Sequence, residues 1–151
     1  MNCPVLYAED DADDVFLMRR AFAAVAVQHP LEIVSDGRQA IDCLSAQNAF
    51  AARRADPLPC VVLLDLKLPE VPGLEVLRWI RQQPALRALP VVILSISQEP
   101  SDVVAAYELG ANSFLVKPRG SERLNALVRS LDEYWLRHNR TGHLIRPPGS
   151  G

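Results

Sequence analysis

The stretch Cys60-Val61-Val62-Leu63-Leu64-Asp65-Leu66-Lys67-Leu68-Pro69 combines an unbroken apolar run with a single carboxylate and a following proline. A continuous run of valines and leucines is typical of a strand that is buried on both faces, as in a parallel sheet. Open α/β sheets bind their ligands beyond the carboxyl ends of the strands. The position of Asp65 therefore suggests a functional carboxylate, although an Asp in a turn after a strand is also a common structural feature.

Four other short apolar segments have the character of strands, at residues 5–8, 31–34, 91–94 and 113–116. Segments with helical spacing separate them, and a last helix is predicted over residues 121–138. This alternation predicts an α/β fold with three layers, in which helices cover both faces of a parallel five-stranded sheet. Of the two common doubly wound strand orders we adopt 2-1-3-4-5, that of the (βα)5, flavodoxin-like type. Residues 1–138 are expected to form one domain, and residues 139–151 a tail that is flexible or exchanged between subunits.

Composition excludes several classes of function. The 151 residues are 49% hydrophobic and 23% charged, with a formal net charge of −2, which is ordinary for a globular protein. We expect no nucleic-acid partner and no membrane, because no basic face and no membrane-length apolar run is visible. The amino terminus lacks a basic segment followed by an apolar one, so a cytoplasmic location is predicted.

The cysteines and histidines fall outside any recognisable motif. Three cysteines that are far apart in sequence predict buried thiols in a reducing compartment, with no disulfide and no zinc site; they are Cys3, Cys43 and Cys60. No catalytic role is assigned to the histidines, which are His29, His138 and His143.

Charged and hydroxyl groups follow four of the predicted strands. In the order 2-1-3-4-5 the first and third strands are neighbours, which brings Glu9, Asp10 and Asp65 together. Three carboxylates in one pocket repel each other unless a cation is present, and Mg²⁺ suits such a set of oxygen ligands. Ser95 and Lys117 end the fourth and fifth strands. Together these groups predict a phosphoryl-binding site in which Asp65 acts as a nucleophile.

In this order along the chain, the motifs resemble a response-regulator receiver domain of bacterial two-component signalling. The resemblance covers roughly residues 4–136 and rests on Glu9-Asp10-Asp11, on Leu64-Asp65-Leu66-Lys67-Leu68-Pro69 with Gly73, on a strand ending in Ser95, and on Phe114-Leu115-Val116-Lys117-Pro118. It implies that Asp65 accepts a phosphoryl group from a histidine kinase or a phosphotransfer protein, in a reaction that depends on Mg²⁺.

The resemblance also implies a role for individual residues. The metal would be bound directly by Asp10, through water by Glu9, by the carboxylate of Asp65 and by the backbone carbonyl of Lys67. Phosphoryl oxygens would be held by Ser95 and Lys117. Ser95 and the aromatic ring of Phe114 would switch on phosphorylation, and the Lys117–Pro118 peptide bond would be cis.

Two positions depart from the usual pattern of the family. Ile96 follows the switch serine, where a small residue is common, and its bulk predicts slow dephosphorylation. Phe114 lacks the hydroxyl of the more frequent tyrosine, so aromatic packing is its only means of switching.

Three alternatives remain at this point. A haloacid-dehalogenase-type phosphatase would need an acid two residues after the nucleophile, where this chain has Lys67. A flavodoxin-like cofactor carrier would need a Gly, Ser and Thr-rich loop where the chain has Glu9-Asp10-Asp11. A phosphorylation-independent adaptor on the same fold is the third alternative.

The last helix uses the remaining length of the chain, so a single-domain regulator that signals by surface change and partner binding is expected. The segment Leu131-Asp132-Glu133-Tyr134-Trp135-Leu136 is similar to regulators that pair with phytochrome-type histidine kinases. Four large hydrophobic or aromatic side chains lie where a lone domain would leave them exposed; they are Tyr134, Leu136, Leu144 and Ile145. They predict a homodimer through the last helix and the tail.

Overall fold

The chain forms a parallel five-stranded sheet in the order β2-β1-β3-β4-β5, as the sequence predicts. The computed structural model describes residues 3–55 and 57–144. The strands are β1 Val5–Ala8, β2 Leu31–Val34, β3 Val61–Leu64, β4 Val91–Ser95 and β5 Ser113–Val116. All four pairings are parallel, so the carboxyl ends of the strands share one edge of the sheet.

Five helices alternate with the strands: α1 Ala12–Val25, α2 Gly37–Ser45, α3 Gly73–Gln82, α4 Pro100–Glu108 and α5 Ser121–Leu131. The last helix continues as a π-helical segment over Asp132–His138, in agreement with a predicted end near residue 138. Short 3₁₀ helices occupy Asn48–Ala55, Pro84–Leu86 and Gly142–Leu144. Within the described ranges, no helix has both the length and the apolar character needed to cross a membrane.

The sheet separates two apolar cores, because each buried strand has side chains on both faces. One core joins the sheet to α1 and α5 and contains Tyr7, Met18 and Val128. The second core joins the sheet to α2 and α3, and its buried side chains include Leu64 and Leu77. The central strands β1, β3 and β4 are buried throughout, as their continuous apolar runs predict.

The first helix begins at the site edge of the sheet. The side chain of Asp11 caps it by accepting hydrogen bonds from the backbone N–H groups of Asp13 and Asp14, at 2.8 and 3.1 Å. The cap of α1 is therefore Asp11, and not Asp13 or Asp14. Their carboxylates lie in the first turn, where the helix dipole favours negative charge.

A glycine holds the start of α3 against the end of β3. A Cβ atom at Gly73 would collide with the backbone carbonyl oxygen of Asp65. The Gly73 N–H donates a hydrogen bond of 2.9 Å to the carbonyl of Leu66, which closes the loop between the two elements. The close approach fixes the backbone that carries Asp65.

The prediction that all three cysteines are unbridged thiols is wrong for two of them. Cys3 and Cys60 are joined in a disulfide, with their Cα atoms 5.4 Å apart. They precede β1 and β3, which are paired side by side in the sheet, and that adjacency brings residues 57 positions apart in sequence together. The third cysteine, Cys43, is buried in α2.

The end of the described chain returns to the sheet. The imidazole Nε2 of His143 lies 2.7 Å from the backbone carbonyl oxygen of Pro59, immediately before Cys60. Burial lowers the pKa of His143 and so favours the neutral ring, whose Nε2–H donates to this carbonyl. Of the predicted tail, the side chain of Leu144 and all of Ile145 lie outside the described residues.

Candidate functional site

An acidic cavity lies at the carboxyl edge of the sheet, beyond β1 and β3. Its volume is about 510 Å³, and ten residues line it: Glu9, Asp10, Asp11, Ala12, Asp13, Asp14, Asp65, Lys67, Ile96 and Lys117. Its polar walls come from the segments after β1, β3 and β5, and its lining residue after β4 is the apolar Ile96. This is the edge where parallel α/β sheets bind ligands.

Lys117 lies at the centre of the acidic groups. Its ammonium Nζ is 3.0 Å from Oδ2 of Asp65 and 3.0 Å from Oδ2 of Asp14, and it also contacts Oε1 of Glu9. Burial lowers the pKa of Lys117, but hydrogen bonds to the three carboxylates outweigh burial and raise it. A permanently charged ammonium therefore neutralises part of the negative charge of the cavity.

Glu9 is the most deeply buried acid of the site. Its pKa is raised to about 7, chiefly by burial. The hydrogen bond from Lys117 lowers the pKa, and the neighbouring Asp65 raises it further. Tyr7, from the interior of β1, donates its hydroxyl to Glu9 Oε1 at 3.2 Å. The backbone N–H groups of Asp10 and Asp11 donate to Glu9 Oε2 at 3.0 and 3.3 Å, so the carboxylate is held from both oxygens.

Three of these carboxylates have the arrangement of a metal site. One oxygen each from Glu9, Asp10 and Asp65 lies within 4.8 Å of the others. A cluster of hard oxygen donors with one exposed member, Asp10, fits a hexacoordinate divalent cation that keeps several waters. The prediction that acids from two separate segments meet is confirmed.

Asp65 itself is nearly buried, with 6% of its surface exposed. Its Oδ1 accepts a hydrogen bond of 3.2 Å from the backbone N–H of Lys67, and its Oδ2 faces Lys117. The side chain of Lys67 is exposed. Asp65 thus has fixed partners on both oxygens.

The structure does not bring Ser95 into the cavity wall. Ser95 ends β4, is fully buried, and its Oγ accepts the backbone N–H of Ser97 at 3.1 Å. Ile96 lines the cavity instead, with 68% of its surface exposed. A bulky apolar group therefore borders the site, at the position from which slow dephosphorylation is predicted.

Phe114 and Pro118 lie on either side of Lys117. Phe114, in β5, is half-buried against the core on the α2 and α3 face, and its backbone N–H donates to the hydroxyl of Tyr107 at 3.1 Å. The described residues contain no cis peptide bond, so the predicted cis bond before Pro118 is wrong: Lys117–Pro118 is trans. The trans isomer of an X-Pro bond is the lower in free energy, by about 0.5–1 kcal/mol.

Sequence reasoning missed the contact of Asp14 with Lys117. Asp14 is three residues after the cap Asp11, which places it one turn into α1 and on the side of the cavity. Its carboxylate is both a charge in the first turn of α1 and a partner of the ammonium. The spacing of Asp14 from Asp11 was the available signal.

The sequence matches the family model described as the response regulator receiver domain over residues 5–129. It is 39% identical over 137 residues to the probable methanogenesis regulatory protein FilR2 of Methanothrix harundinacea. The aligned residues cover 91% of this chain and 86% of FilR2. It is 36% identical over 132 residues to the response regulator Rcp1 of Synechocystis sp., over 87% of this chain and 88% of Rcp1.

Solved structures agree with this match. The Mn(2+)-bound form of Rcp1 superposes with a TM-score of 0.82 and 34% identity, covering 92% of this chain and 98% of Rcp1. The phosphorylated cyanobacterial phytochrome response regulator RcpA superposes with a TM-score of 0.85 and 31% identity, covering 94% and 99%. With the sheet order and the acidic cavity, these matches establish that the chain belongs to the response-regulator receiver domain family.

Proposed function

We propose that this protein is a single-domain response regulator that accepts a phosphoryl group on Asp65. The observation that carries the proposal is the position of the Asp65 carboxylate, which is buried beside Glu9 and Asp10 and 3.0 Å from the ammonium of Lys117. In the reaction a carboxylate oxygen of Asp65 attacks phosphorus, the bond from phosphorus to a histidine nitrogen of the donor breaks, and the imidazole leaves. The donor is a sensor histidine kinase or a phosphotransfer protein.

Mg²⁺ is the proposed cofactor. The carboxylates of Glu9, Asp10 and Asp65 supply the hard oxygen ligands, with the backbone carbonyl of Lys67 as a further ligand. When bound, the ion neutralises charge on the phosphoryl oxygens. Lys117 contributes a second positive charge on the same side of Asp65, and Asp14 holds its ammonium in place.

Ser95 and Phe114 are the proposed switch. The Ser95 hydroxyl accepts the N–H of Ser97 and still has its own proton to donate to a phosphoryl oxygen. A movement of Ser95 toward a phosphoryl group on Asp65 would therefore carry the start of the β4–α4 loop with it. Phe114 is half-buried beside that region, where its ring can repack without a change in the central strands. We propose that partners read these changes at the surface of α4, β5 and the last helix.

The proposed partner is a phytochrome-type histidine kinase, supported by the similarity to RcpA, which is a phytochrome response regulator. A homodimer through the last helix is supported by a groove lined by residues of β5 and that helix: Asn112, Ser113, Leu115, Ala126, Leu127, Ser130, Leu131, Tyr134 and Trp135. Tyr134 is 56% exposed there. We place the protein in the cytoplasm, where histidine kinases present their phosphorylated domains.

The proposal does not include turnover of other substrates. A phosphatase of the haloacid-dehalogenase type needs an acid where this cavity has the exposed Lys67. Catalysis is limited to the protein's own phosphorylation and its slow dephosphorylation.

Mass spectrometry of the intact protein tests the proposal. Incubation with acetyl phosphate should add the mass of one phosphoryl group to wild type in the presence of Mg²⁺, and not in the presence of a chelator. The variant Asp65→Asn should show no gain under either condition. A gain that persists in this variant would assign the phosphoryl group elsewhere, and a folded wild type that is never modified would favour a phosphorylation-independent adaptor.

Light scattering tests the dimer separately. A monomer at high micromolar concentration, with and without phosphorylation, would refute a homodimer.

A further inference from the structure

A second cluster of reactive side chains lies at the opposite edge of the sheet from the acidic cavity. Cys3, His29 and Cys60 each precede a different strand, and β2, β1 and β3 are adjacent, so the three residues meet where those strands begin. One ligand or reactive atom from each lies within 4.8 Å of the others. Nothing in the phosphoryl-transfer site involves them.

His29 is in contact with both sulfur atoms. Its Nδ1 is 3.5 Å from Sγ of Cys60 and 4.0 Å from Sγ of Cys3, and it is 2.7 Å from the backbone carbonyl oxygen of Cys3. The carbonyl can only accept, so Nδ1 carries the proton and donates it. The carbonyl is the nearer acceptor of this proton, and Sγ of Cys60 at 3.5 Å is its second, longer acceptor. An N–H group shared with a sulfur atom in this way stabilises the thiolate form of that sulfur.

The two sulfur atoms differ in access. Cys3 is partly exposed, whereas 2% of the surface of Cys60 is exposed. A small thiol or disulfide in solution can therefore reach Cys3, while Cys60 reacts only with its neighbour. This division into an attacked cysteine and a resolving cysteine is typical of reversible disulfide chemistry.

We propose that Cys3, His29 and Cys60 form a redox-active dithiol–disulfide site that exchanges with low-molecular-weight thiols such as glutathione. The inference rests on the cytoplasmic location in the proposed function, because disulfides in that compartment are rare and mostly transient or redox-sensing. It does not depend on phosphorylation of Asp65.

The exchange balances in both directions. In reduction, a glutathione thiolate attacks Sγ of Cys3, the Cys3–Cys60 bond breaks, and Cys60 leaves as a thiolate stabilised by the N–H of His29. A second glutathione thiolate attacks the mixed disulfide on Cys3, which releases glutathione disulfide and the Cys3 thiolate. Oxidation is the reverse sequence, in which one glutathione disulfide takes up two electrons from the cysteine pair and yields two glutathione thiols.

The hydrogen bond of His29 argues against a metal at this cluster. A metal ion bound through Nδ1 would have to displace the proton that Nδ1 donates to the Cys3 carbonyl. A joined pair of sulfurs also supplies no thiolate ligand. Of the two chemistries open to two cysteines and one histidine, this arrangement favours the disulfide.

To test this, the native, full-length protein is equilibrated in buffers that contain different ratios of reduced to oxidised glutathione. Each sample is then quenched with acid and alkylated at free thiols, and mass spectrometry measures the linked peptides. We expect a Cys3–Cys60 bond that forms and breaks reversibly, and unchanged behaviour in the matched control Cys43→Ser. The variant Asp65→Asn should behave as wild type, so a failure of the phosphoryl proposal is distinguishable from a failure of this one.

His29→Ala tests the role of the imidazole. We expect reduction of the bond by glutathione to slow by about 2- to 10-fold, the range of one net hydrogen bond, with rescue by the amide donor of His29→Asn. An unchanged rate in the alanine variant would overturn the role of His29. A Cys3–Cys60 bond that never forms, or one that glutathione never reduces in the folded protein, would overturn the site, as would a stoichiometric Zn²⁺ complex of the reduced protein.

Discussion

Replacement of Lys117 by methionine should lower the free energy of unfolding of the metal-free protein by about 3 kcal/mol. The side chain of Lys117 is 13% exposed, and its ammonium is 3.0 Å from Oδ2 of both Asp14 and Asp65 and also contacts Glu9. Methionine retains most of the aliphatic length of the side chain, so the substitution removes the charge and leaves the packing of the stem largely intact. Three carboxylates then face each other without their cation.

The magnitude follows from the distances and the exposure. Two unit charges 3.0 Å apart attract by about 5.5 kcal/mol at an effective dielectric constant of about 20. Desolvation of the buried ammonium offsets much of that attraction, and removal of one partner from a buried pair costs about 3–5 kcal/mol. The side chain of Asp14 is 36% exposed, so solvent screens the attraction between Asp14 and Lys117. We therefore expect a cost at the lower end of the range of about 3–5 kcal/mol.

Urea unfolding followed by the fluorescence of Trp79 and Trp135 measures the change, in the presence of either a chelator or Mg²⁺. Mg²⁺ should stabilise Lys117→Met more than wild type, because a divalent cation replaces the missing positive charge; at a concentration of 100 times its Kd a ligand contributes about 2.7 kcal/mol. Lys67→Met is the matched control, since Lys67 lines the same cavity with an exposed side chain. It should change stability by less than about 0.5 kcal/mol.

Two results would refute this account of the cavity. If Lys117→Met unfolded in chelator within about 0.5 kcal/mol of wild type, the ammonium would not be neutralising the acids. If Mg²⁺ stabilised the variant and wild type equally, the ion and Lys117 would not share the same carboxylates.

Three further predictions concern other parts of the molecule. Ile96→Ala should shorten the lifetime of the phosphorylated protein by roughly 2- to 10-fold, a barrier change of up to about 1.4 kcal/mol, because a smaller side chain admits water; an unchanged decay in a phosphate-release assay would contradict it. Arg81→Met should destabilise the protein by about 3 kcal/mol in urea titrations, because the guanidinium donates to the carbonyls of Leu89 and Gly110 at 2.7 and 2.8 Å. The control is Arg78→Met, which removes a single surface ion pair of 3.6 Å and should cost less than about 0.5 kcal/mol. NMR titration should give His143 a pKa below about 6.5, the ordinary value that it has in the unfolded chain. The stabilisation from the docked, neutral ring is then complete above pH 6.5 and is lost as the pH falls through the lowered folded-state pKa. A pKa at or above 6.5 would rule out the docked, neutral ring.

Four of the strands were predictable as apolar runs that contain valine, and β2 was predictable from the alternating segment Leu31-Glu32-Ile33-Val34. The convergence of Glu9, Asp10 and Asp65 followed from one topological rule, that parallel strands end at a common edge. The detailed hydrogen bonds did not follow, since the choice of Asp11 over Asp13 as the helix cap depends on a difference of two residues in where the helix begins. The isomer of the Lys117–Pro118 bond could not be read from sequence, because the two isomers differ by only about 0.5–1 kcal/mol.

The cysteine cluster shows how far the same rule extends. Residues that immediately precede neighbouring parallel strands must also share an edge, and Cys3, His29 and Cys60 do so for β1, β2 and β3. Their separation along the chain, 57 residues between the two cysteines, hid a contact that the predicted strand order already contained. Distance in sequence is therefore weak evidence against a disulfide once the order of the strands is specified.

The two edges share β1 and β3 yet are chemically separate. The strands pair in register from Val5 with Val61 to Ala8 with Leu64, four residues that span about 13 Å at 3.3 Å per residue. Central strands that are buried on both faces transmit little local movement, because their side chains are closely packed on each face. A bond between Cys3 and Cys60 therefore fastens the amino edge while the carboxylates at the far edge keep their distances. The same pair of strands can carry a thiol exchange site and a phosphoryl site without either reaction requiring the other.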